Sequence, residues 1–216
     1  MSNRIAVVDY GMGNLRSVEQ ALRHVAAELP DVAEVVLAST PDLIESADRV
    51  VFPGQGAMRD CMAELDARNL RGAVKAAAAS KPFLGICIGL QMLFEHSEEG
   101  DAAGLGILPG RVQRFATDMV GADGQRLKVP HMGWNQVWQR SRQALWQGIA
   151  DGERFYFVHS YYVDPLDAGW VAGTTDYGID FTSAVARDNI FATQFHPEKS
   201  ARPGLAMLAN FVCWKP

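Results

Sequence analysis

Three side chains in this 216-residue sequence have the types and spacing that covalent nucleophilic catalysis requires. Cys87 sits in Gly85-Ile86-Cys87-Ile88-Gly89, between the apolar run Phe83 to Ile86 and a second apolar segment, opened by Gly89, that reads as a helix toward Phe94. Gly-x-Cys-x-Gly between a strand and a helix is the thiol form of the nucleophile elbow, a sharp turn that lifts a side chain out of a sheet edge. Glycines on either side spare so tight a turn a crowding β-carbon. A helix beginning at the sulfur would aim free N–H groups and its positive dipole end at it, favouring thiolate. The competing reading of one cysteine among apolar neighbours is an inert core residue. Far downstream, Ala192-Thr193-Gln194-Phe195-His196-Pro197-Glu198-Lys199 ends a short apolar run with an imidazole and, two residues on, a carboxylate. If that run joins the same sheet, His196 reaches the rim where Cys87 lies. Glu198 then orients and polarises the imidazole, and Pro197 restricts the backbone between them. Nucleophile, base and orienting acid make a generalised triad; taken alone, a His-Pro-Glu at a strand end is more often a capped turn.

The elements that must position these groups alternate through the first half. Arg4 to Val8 reads as a strand, followed by the loop Asp9-Tyr10-Gly11-Met12-Gly13-Asn14 and a helix with Val18, Ala21, Leu22, Val25 and Leu29 on one face. Glu34 to Ala38 is a second strand. Thr40-Pro41-Asp42 opens a helix with a capping hydroxyl, a proline and an acid. Arg49 to Phe52 is a third strand, ending in Pro53-Gly54-Gln55-Gly56, and helical stretches cover Met58 to Asp66 and Leu70 to Ala79. Strands separated by helices imply right-handed crossovers and a mostly parallel central sheet flanked by helices, an α/β fold. Ligands bind beyond the carboxyl ends of such strands, so the loops at Gly11, Gly54 and Cys87 should share one rim. Gly11 and Gly13 lack the third glycine and the distal acid of a dinucleotide fingerprint, so no nucleotide is expected there. From about Gly106 the runs Arg111 to Phe115, Leu127 to Val129, Phe155 to Val158, Trp170 to Thr174, Thr182 to Ala186 and Ile190 to Gln194 predict antiparallel strands, with a turn at Asp188-Asn189. Pro203 to Val212 predicts a closing helix. No Ser/Gly-rich linker or repeat interrupts the chain, which reads as one domain over residues 1–216.

Composition narrows the setting. Hydrophobic content of 48% and charge content of 21% are those of a globular protein, and the net charge of −5 argues against non-specific nucleic-acid binding. Cys61, Cys87 and Cys213 are too few and too scattered for a disulfide framework or a zinc cluster. Neither a signal peptide nor a membrane span is visible, so a reducing cytoplasm is the expected compartment.

Taken together, GICIGLQ and the later QFHPE resemble the class I, triad-type glutamine amidotransferases. The resemblance runs nearly the whole length, because Pro53-Gly54-Gln55-Gly56 falls where that family keeps its oxyanion loop. Asp9 to Asn14, Ser97-Glu98-Glu99-Gly100, Pro130-His131-Met132-Gly133-Trp134-Asn135 and Tyr156-Phe157-Val158-His159-Ser160-Tyr161 look like the glutaminase subunit of imidazole glycerol phosphate synthase. The resemblance implies a flavodoxin-like glutaminase fold and a Cys87, His196, Glu198 triad that hydrolyses the side-chain amide of glutamine through a thioester, with no cofactor or metal. For the oxyanion, the N–H of Ile88 and one from Gly54-Gln55 are the candidate donors. Gln91 matches the family's glutamine-binding position; Glu99 would pair with the substrate ammonium, and Ser160 and Tyr161 would meet its α-carboxylate end. Without the family, Glu99 reads as a solvated acidic loop. The ammonia would pass to a (β/α)₈-barrel cyclase, in a heterodimer making imidazole glycerol phosphate and aminoimidazole carboxamide ribotide in histidine biosynthesis. Asn14, Met132, Trp134, Tyr156 and Lys199 match positions at or near that interface, with core packing the alternative for Trp134. Competing readings are a glutaminase for another synthase, a non-catalytic binding subunit, and a stand-alone cysteine hydrolase.

Overall fold

The computed structural model describes residues 3–29, 33–121 and 124–216. Its first half follows the predicted rhythm: β1 (Asn3–Val8), α1 (Leu15–Ala27), β2 (Ala33–Ala38), α2 (Pro41–Glu45), β3 (Arg49–Gly54), α3 (Met58–Ala67), α4 (Arg71–Ser80) and β4 (Phe83–Cys87). The second half adds α5 (Ile88–Gln91), β5 (Phe94–Ser97), β6 (Ala102–Ala103), β7 (Leu108–Arg114), β8 (His131–Gln139), β9 (Glu153–His159), β10 (Tyr161–Pro165), β11 (Val171–Asp176), β12 (Asp180–Arg187), β13 (Ile190–Thr193) and α6 (Ala201–Cys213).

Strands β2, β1, β3, β4 and β13 run parallel in that order, with Gly54 level with Cys87 and Thr193 level with Ile86. β3 and β4 are buried at every position, which is why RVVFPG and FLGIC carry apolar residues without alternation. Arg49, the one charge in those runs, donates to the Trp214 carbonyl. One core cluster holds Val18, Leu22 and Val25 of α1 with Met207, Leu208 and Phe211 of α6; the other joins Ile44, Met62 and Val74 of α2 to α4 to Phe52 and Phe83. Helices therefore cover both faces, as right-handed crossovers require. β13 is the seam of the sheet. It lies parallel to β4 and, through the predicted turn at Asp188-Asn189, antiparallel to β12. Asn189 ties that turn to the end of α4 by donating to the carbonyls of Ala78 and Lys81. Beyond β12 the strands β10, β7, β5 and β6 continue the sheet, while β11, β8 and β9 branch from it. Among the described residues no helix is long and apolar enough to cross a membrane.

Some local expectations are corrected. The segment after Cys87 is one helical turn, α5, and the chain becomes strand β5 at Phe94. Thr40 precedes α2 as expected, but its hydroxyl makes no cap hydrogen bond. Leu127 to Val129 is not a strand; only Arg126 forms an isolated bridge, to Val120. Trp170 closes a 3-10 turn and β11 begins at Val171.

Candidate active site

Cys87 ends β4 with φ +56, a conformation other residues than glycine rarely adopt and one that costs on the order of 1–3 kcal/mol. Packing over-determines it. A β-carbon on Gly89 would fall 1.8 Å from the Phe52 carbonyl oxygen, and one on Gly85 would lie 2.9 Å from the Ala192 β-carbon. The two glycines let β4 run flush between β3 and β13 and turn at once, as the motif predicted. The expected help from a helix dipole is withdrawn, because the four residues of α5 cannot sum one of useful size.

His196 is held from both sides. The Gln194 N–H donates to the Ser183 carbonyl and the His196 N–H to the Tyr156 carbonyl, each at 2.9 Å. A 3-10 turn, Pro197–Lys199, then folds Glu198 back under the ring, where Oε1 lies 2.8 Å from His196 Nδ1. The two side chains are 7% and 1% exposed. Burial alone would lower the imidazole's pKa; the Cys87 sulfur and the Glu198 carboxylate outweigh it and hold it above the ordinary range. His196 Nε2 has no hydrogen bond of normal geometry, yet lies close enough to Cys87 for that sulfur to be the leading opposing influence. A protonated His196 facing the Cys87 sulfur is what this arrangement favours.

Both groups open onto a cavity of about 290 Å³, also lined by Gln55, Gly56, Ile88, Gln91, Glu99, Ser160, Tyr161 and Lys199. Gln91 donates through Nε2 to the Tyr161 carbonyl (3.1 Å) and to Gln194 Oε1 (2.9 Å), while its own Oε1 is buried and unpartnered. Gln194 in turn directs Nε2 at Cys87 Sγ, 3.8 Å away. Glu99 is half-buried rather than a solvated loop acid: Oε2 accepts the Met58 N–H at 2.8 Å, satisfying the first turn of α3. Gly54 touches Tyr10 and Ile88 so closely that a β-carbon would come within 2.0 Å of each. The Tyr10 hydroxyl donates to the Pro53 carbonyl at 3.0 Å, and the buried Cys61 thiol to the Gln55 carbonyl at 3.5 Å. Burial pushes the Cys61 thiol up to about 11, so it remains a donor. With the Gln55 carbonyl turned to Cys61, planarity of the peptide points the Gly56 N–H the opposite way.

Along the same rim, Met132 is 62% and Trp134 49% exposed, which removes the core reading of Trp134. Trp134 stands opposite Tyr156, ring centroids 6.2 Å apart; Asn14 is exposed at the start of α1, and Lys199 is half-buried at the cavity. The sequence reading gave no role to Tyr10, Cys61, His131, His159 or Gln194. The available signal was Gln194 itself, a polar residue that closes an apolar strand and is fully buried.

The sequence pattern of the family described as glutamine amidotransferase class-I matches residues 6–214. The chain is 66% identical to imidazole glycerol phosphate synthase subunit HisH of Aromatoleum aromaticum, over 98% of this chain and 99% of that one. It is 63% identical to the HisH subunit of Thiobacillus denitrificans, over 100% and 93%. Among solved structures, a crystal structure titled glutamine amidotransferase superposes with TM-score 0.67 at 18% identity, covering 94% of this chain and 98% of that one. Another, from Thermotoga maritima, gives TM-score 0.62 at 18% identity, covering 94% and 79%. These two likenesses speak for the fold alone. By its family pattern and its full-length relatives, the chain belongs to the class I glutamine amidotransferases, among the HisH subunits of imidazole glycerol phosphate synthase.

Proposed function

We propose that the chain hydrolyses glutamine to glutamate and ammonia and hands the ammonia to a (β/α)₈-barrel cyclase, with which it forms the heterodimeric imidazole glycerol phosphate synthase of histidine biosynthesis. The observation that carries the reading is the strained Cys87 elbow and the Glu198-bound His196 converging on one cavity, with His196 Nε2 left unpartnered. The Cys87 thiolate attacks the glutamine δ-carbon, and His196 gives the Nε2 proton to the departing amine, so ammonia leaves and a thioester remains. Water then loses a proton to Nε2 as it attacks the thioester; glutamate leaves and the thiolate returns. Glu198 supports the imidazolium in both halves. Each tetrahedral intermediate puts negative charge on the former carbonyl oxygen, for which the Ile88 N–H and an N–H of the Gly54 to Gly56 loop are the proposed donors; losing one such donor costs roughly a hundred- to a thousandfold.

Gln91, which lines the cavity, suits the substrate amino acid. The Glu99 carboxylate suits the α-ammonium and the Ser160-Tyr161 segment the α-carboxylate. The exposed Met132 and Trp134, with Tyr156, Asn14 and Lys199, suit the partner face, since aromatic and Met side chains are typical interface anchors. The most similar relatives reported above carry names of subunits, which fits a partnered enzyme. Free thiols at Cys61, Cys87 and Cys213 suit the cytoplasm. The test is glutamate release from glutamine, with and without a purified barrel cyclase and its ribotide ligand. Strong stimulation by the partner is the expected result; equal rates would mean a free-standing hydrolase, and none in either case a non-catalytic subunit.

A further inference from the structure

Two more histidines lie buried beside the cavity, His131 at the start of β8 and His159 at the end of β9, 3% and 6% exposed. They are cross-strand neighbours, with His131 Nδ1 2.9 Å from His159 Nε2. Their tautomers follow from the partners. The Tyr161 carbonyl, 2.8 Å from His159 Nδ1, can only accept, so Nδ1 carries the proton. Burial lowers both imidazoles, His131 to about 4 and His159 to about 3, so each is neutral near pH 7. His159 Nε2 is therefore an acceptor, His131 Nδ1 donates to it, and His131 Nε2 accepts from Asn135 Nδ2 at 3.3 Å. The result is a directed chain from Asn135 through both rings to the Tyr161 carbonyl. That same carbonyl accepts from Gln91, which bonds Gln194, which reaches Cys87.

Aromatic rings wall the pair. His131 stacks on Phe157 (centroids 4.8 Å, interplanar 28°) and on Tyr177 (4.0 Å, 30°), and Phe115 and Phe181 pack on His159. Phenylalanine would fill these places without burying polar nitrogens, so packing by itself does not account for two imidazoles. The alternation of β8 adds a second feature. His131 and Asn135 point inward while Met132 and Trp134 point out, so one strand carries the relay on one face and the exposed apolar patch on the other.

We propose that His131 and His159 are positioning residues of the glutaminase, a pair of neutral imidazoles that fixes the Tyr161 carbonyl and through it the amide orientations of Gln91 and Gln194 beside Cys87. The assignment of a consequence for turnover rests on the glutaminase reading above. With both lone pairs of the Tyr161 carbonyl engaged, the Gln91 amide is held with Nε2 on Tyr161 and Gln194 and its buried Oε1 without a partner. Freeing that carbonyl lets the Gln91 amide turn over, which unpairs Gln194 and loosens its Nε2 beside Cys87.

The test compares shape with hydrogen bonding in the full chain assembled with its cyclase. His131→Phe and His159→Phe keep the stacked rings and remove the relay; His131→Asn loses the ring and keeps a donor near the position of Nδ1. The expected result is a fall in kcat of about tenfold or more for both Phe variants, the size of one buried hydrogen bond, with His159→Phe the larger. Each single Phe variant strands the other ring's buried nitrogen and should melt lower, whereas the double Phe variant removes both nitrogens and should melt near wild type. The double Phe variant should lose no more than His159→Phe alone, because the groups act in series. His131→Asn should melt lower yet lose less kcat than His131→Phe. Phe variants with wild-type kcat, or His131→Asn slower than His131→Phe, would overturn the proposal. Imidazole ¹⁵N shifts give a reading independent of turnover: both rings should be Nδ1–H tautomers at pH 7, and Nε2–H on either contradicts the relay even if the chain releases no glutamate. Absence of glutamate release from wild type with its cyclase, alongside the expected tautomers, would instead count against the glutaminase reading.

Discussion

His196 is the residue whose chemistry depends most on its neighbours. Two partners, the Cys87 sulfur and the Glu198 carboxylate, hold its proton against the burial that would expel it. Glu198→Gln removes one of them, so the imidazole's pKa must fall, and the proton needed for ammonia departure is lost at lower pH. We expect kcat to drop by roughly 10²- to 10⁴-fold, by analogy with other triads, and the alkaline limb of the pH profile to move downward; an unmoved limb would mean that Glu198 only packs. His131 and His159 have the opposite sign. Their folded pKa values lie below the ordinary 6.5, so between there and about 4 and 3 the unfolded chain binds the extra protons. Stability therefore falls with pH through that window, by about 2 kcal/mol per imidazole at pH 5 relative to pH 7. Urea unfolding at both pH values should show a smaller drop for the double Phe variant than for wild type; equal drops would contradict the neutral pair. The grouping of Cys87, His196 and Glu198 was legible in the sequence because each is announced by its own neighbours, the glycines of the elbow and the proline between His196 and Glu198. Gln194, His131 and His159 were not, because their partners come from other strands and only the register of the sheet brings them together.

At the level of elements, the elbow is built by contact between backbones. The Phe52 carbonyl occupies the space a side chain at position 89 would need, so Gly89→Ala must push the α5 turn away from β3. A loss of about 1–3 kcal/mol or more in stability is expected, together with most of the activity, as read by chemical denaturation and glutamate release. A variant of unchanged stability would mean that the turn has slack. The parallel half of the sheet was readable because buried strands are plain apolar runs. β8 escaped for an instructive reason: its inward residues at this end, His131 and Asn135, are not hydrophobic, while its outward Met132 and Trp134 are. That inversion hides a strand from any reading that puts apolar residues inside, and it is the pattern expected where the outer face meets another protein and the inner face carries hydrogen bonds. α5 was misread in length because its apolar run continues directly into β5, and an apolar run alone does not distinguish helix from strand.

For the whole molecule, the exposed Met132 and Trp134 stand on the rim that also carries the cavity, so on the proposed interface partner and substrate would meet adjacent surfaces. Trp134→Ala removes a half-exposed ring with little core to lose. It should weaken cyclase binding by roughly 1–2 kcal/mol or more in calorimetry and leave the melting temperature nearly unchanged, whereas unchanged affinity with a lower melting temperature would return Trp134 to a structural role. All of this depends on Cys87 being the nucleophile. The most direct measurement is mass spectrometry of the chain, assembled with its cyclase, after treatment with a diazo-ketone analogue of glutamine that alkylates an attacking thiolate. The account predicts one adduct, mapped to Cys87, blocked by excess glutamine and abolished by His196→Ala at neutral pH. An adduct on Cys61 or Cys213 with Cys87 unmodified would contradict it.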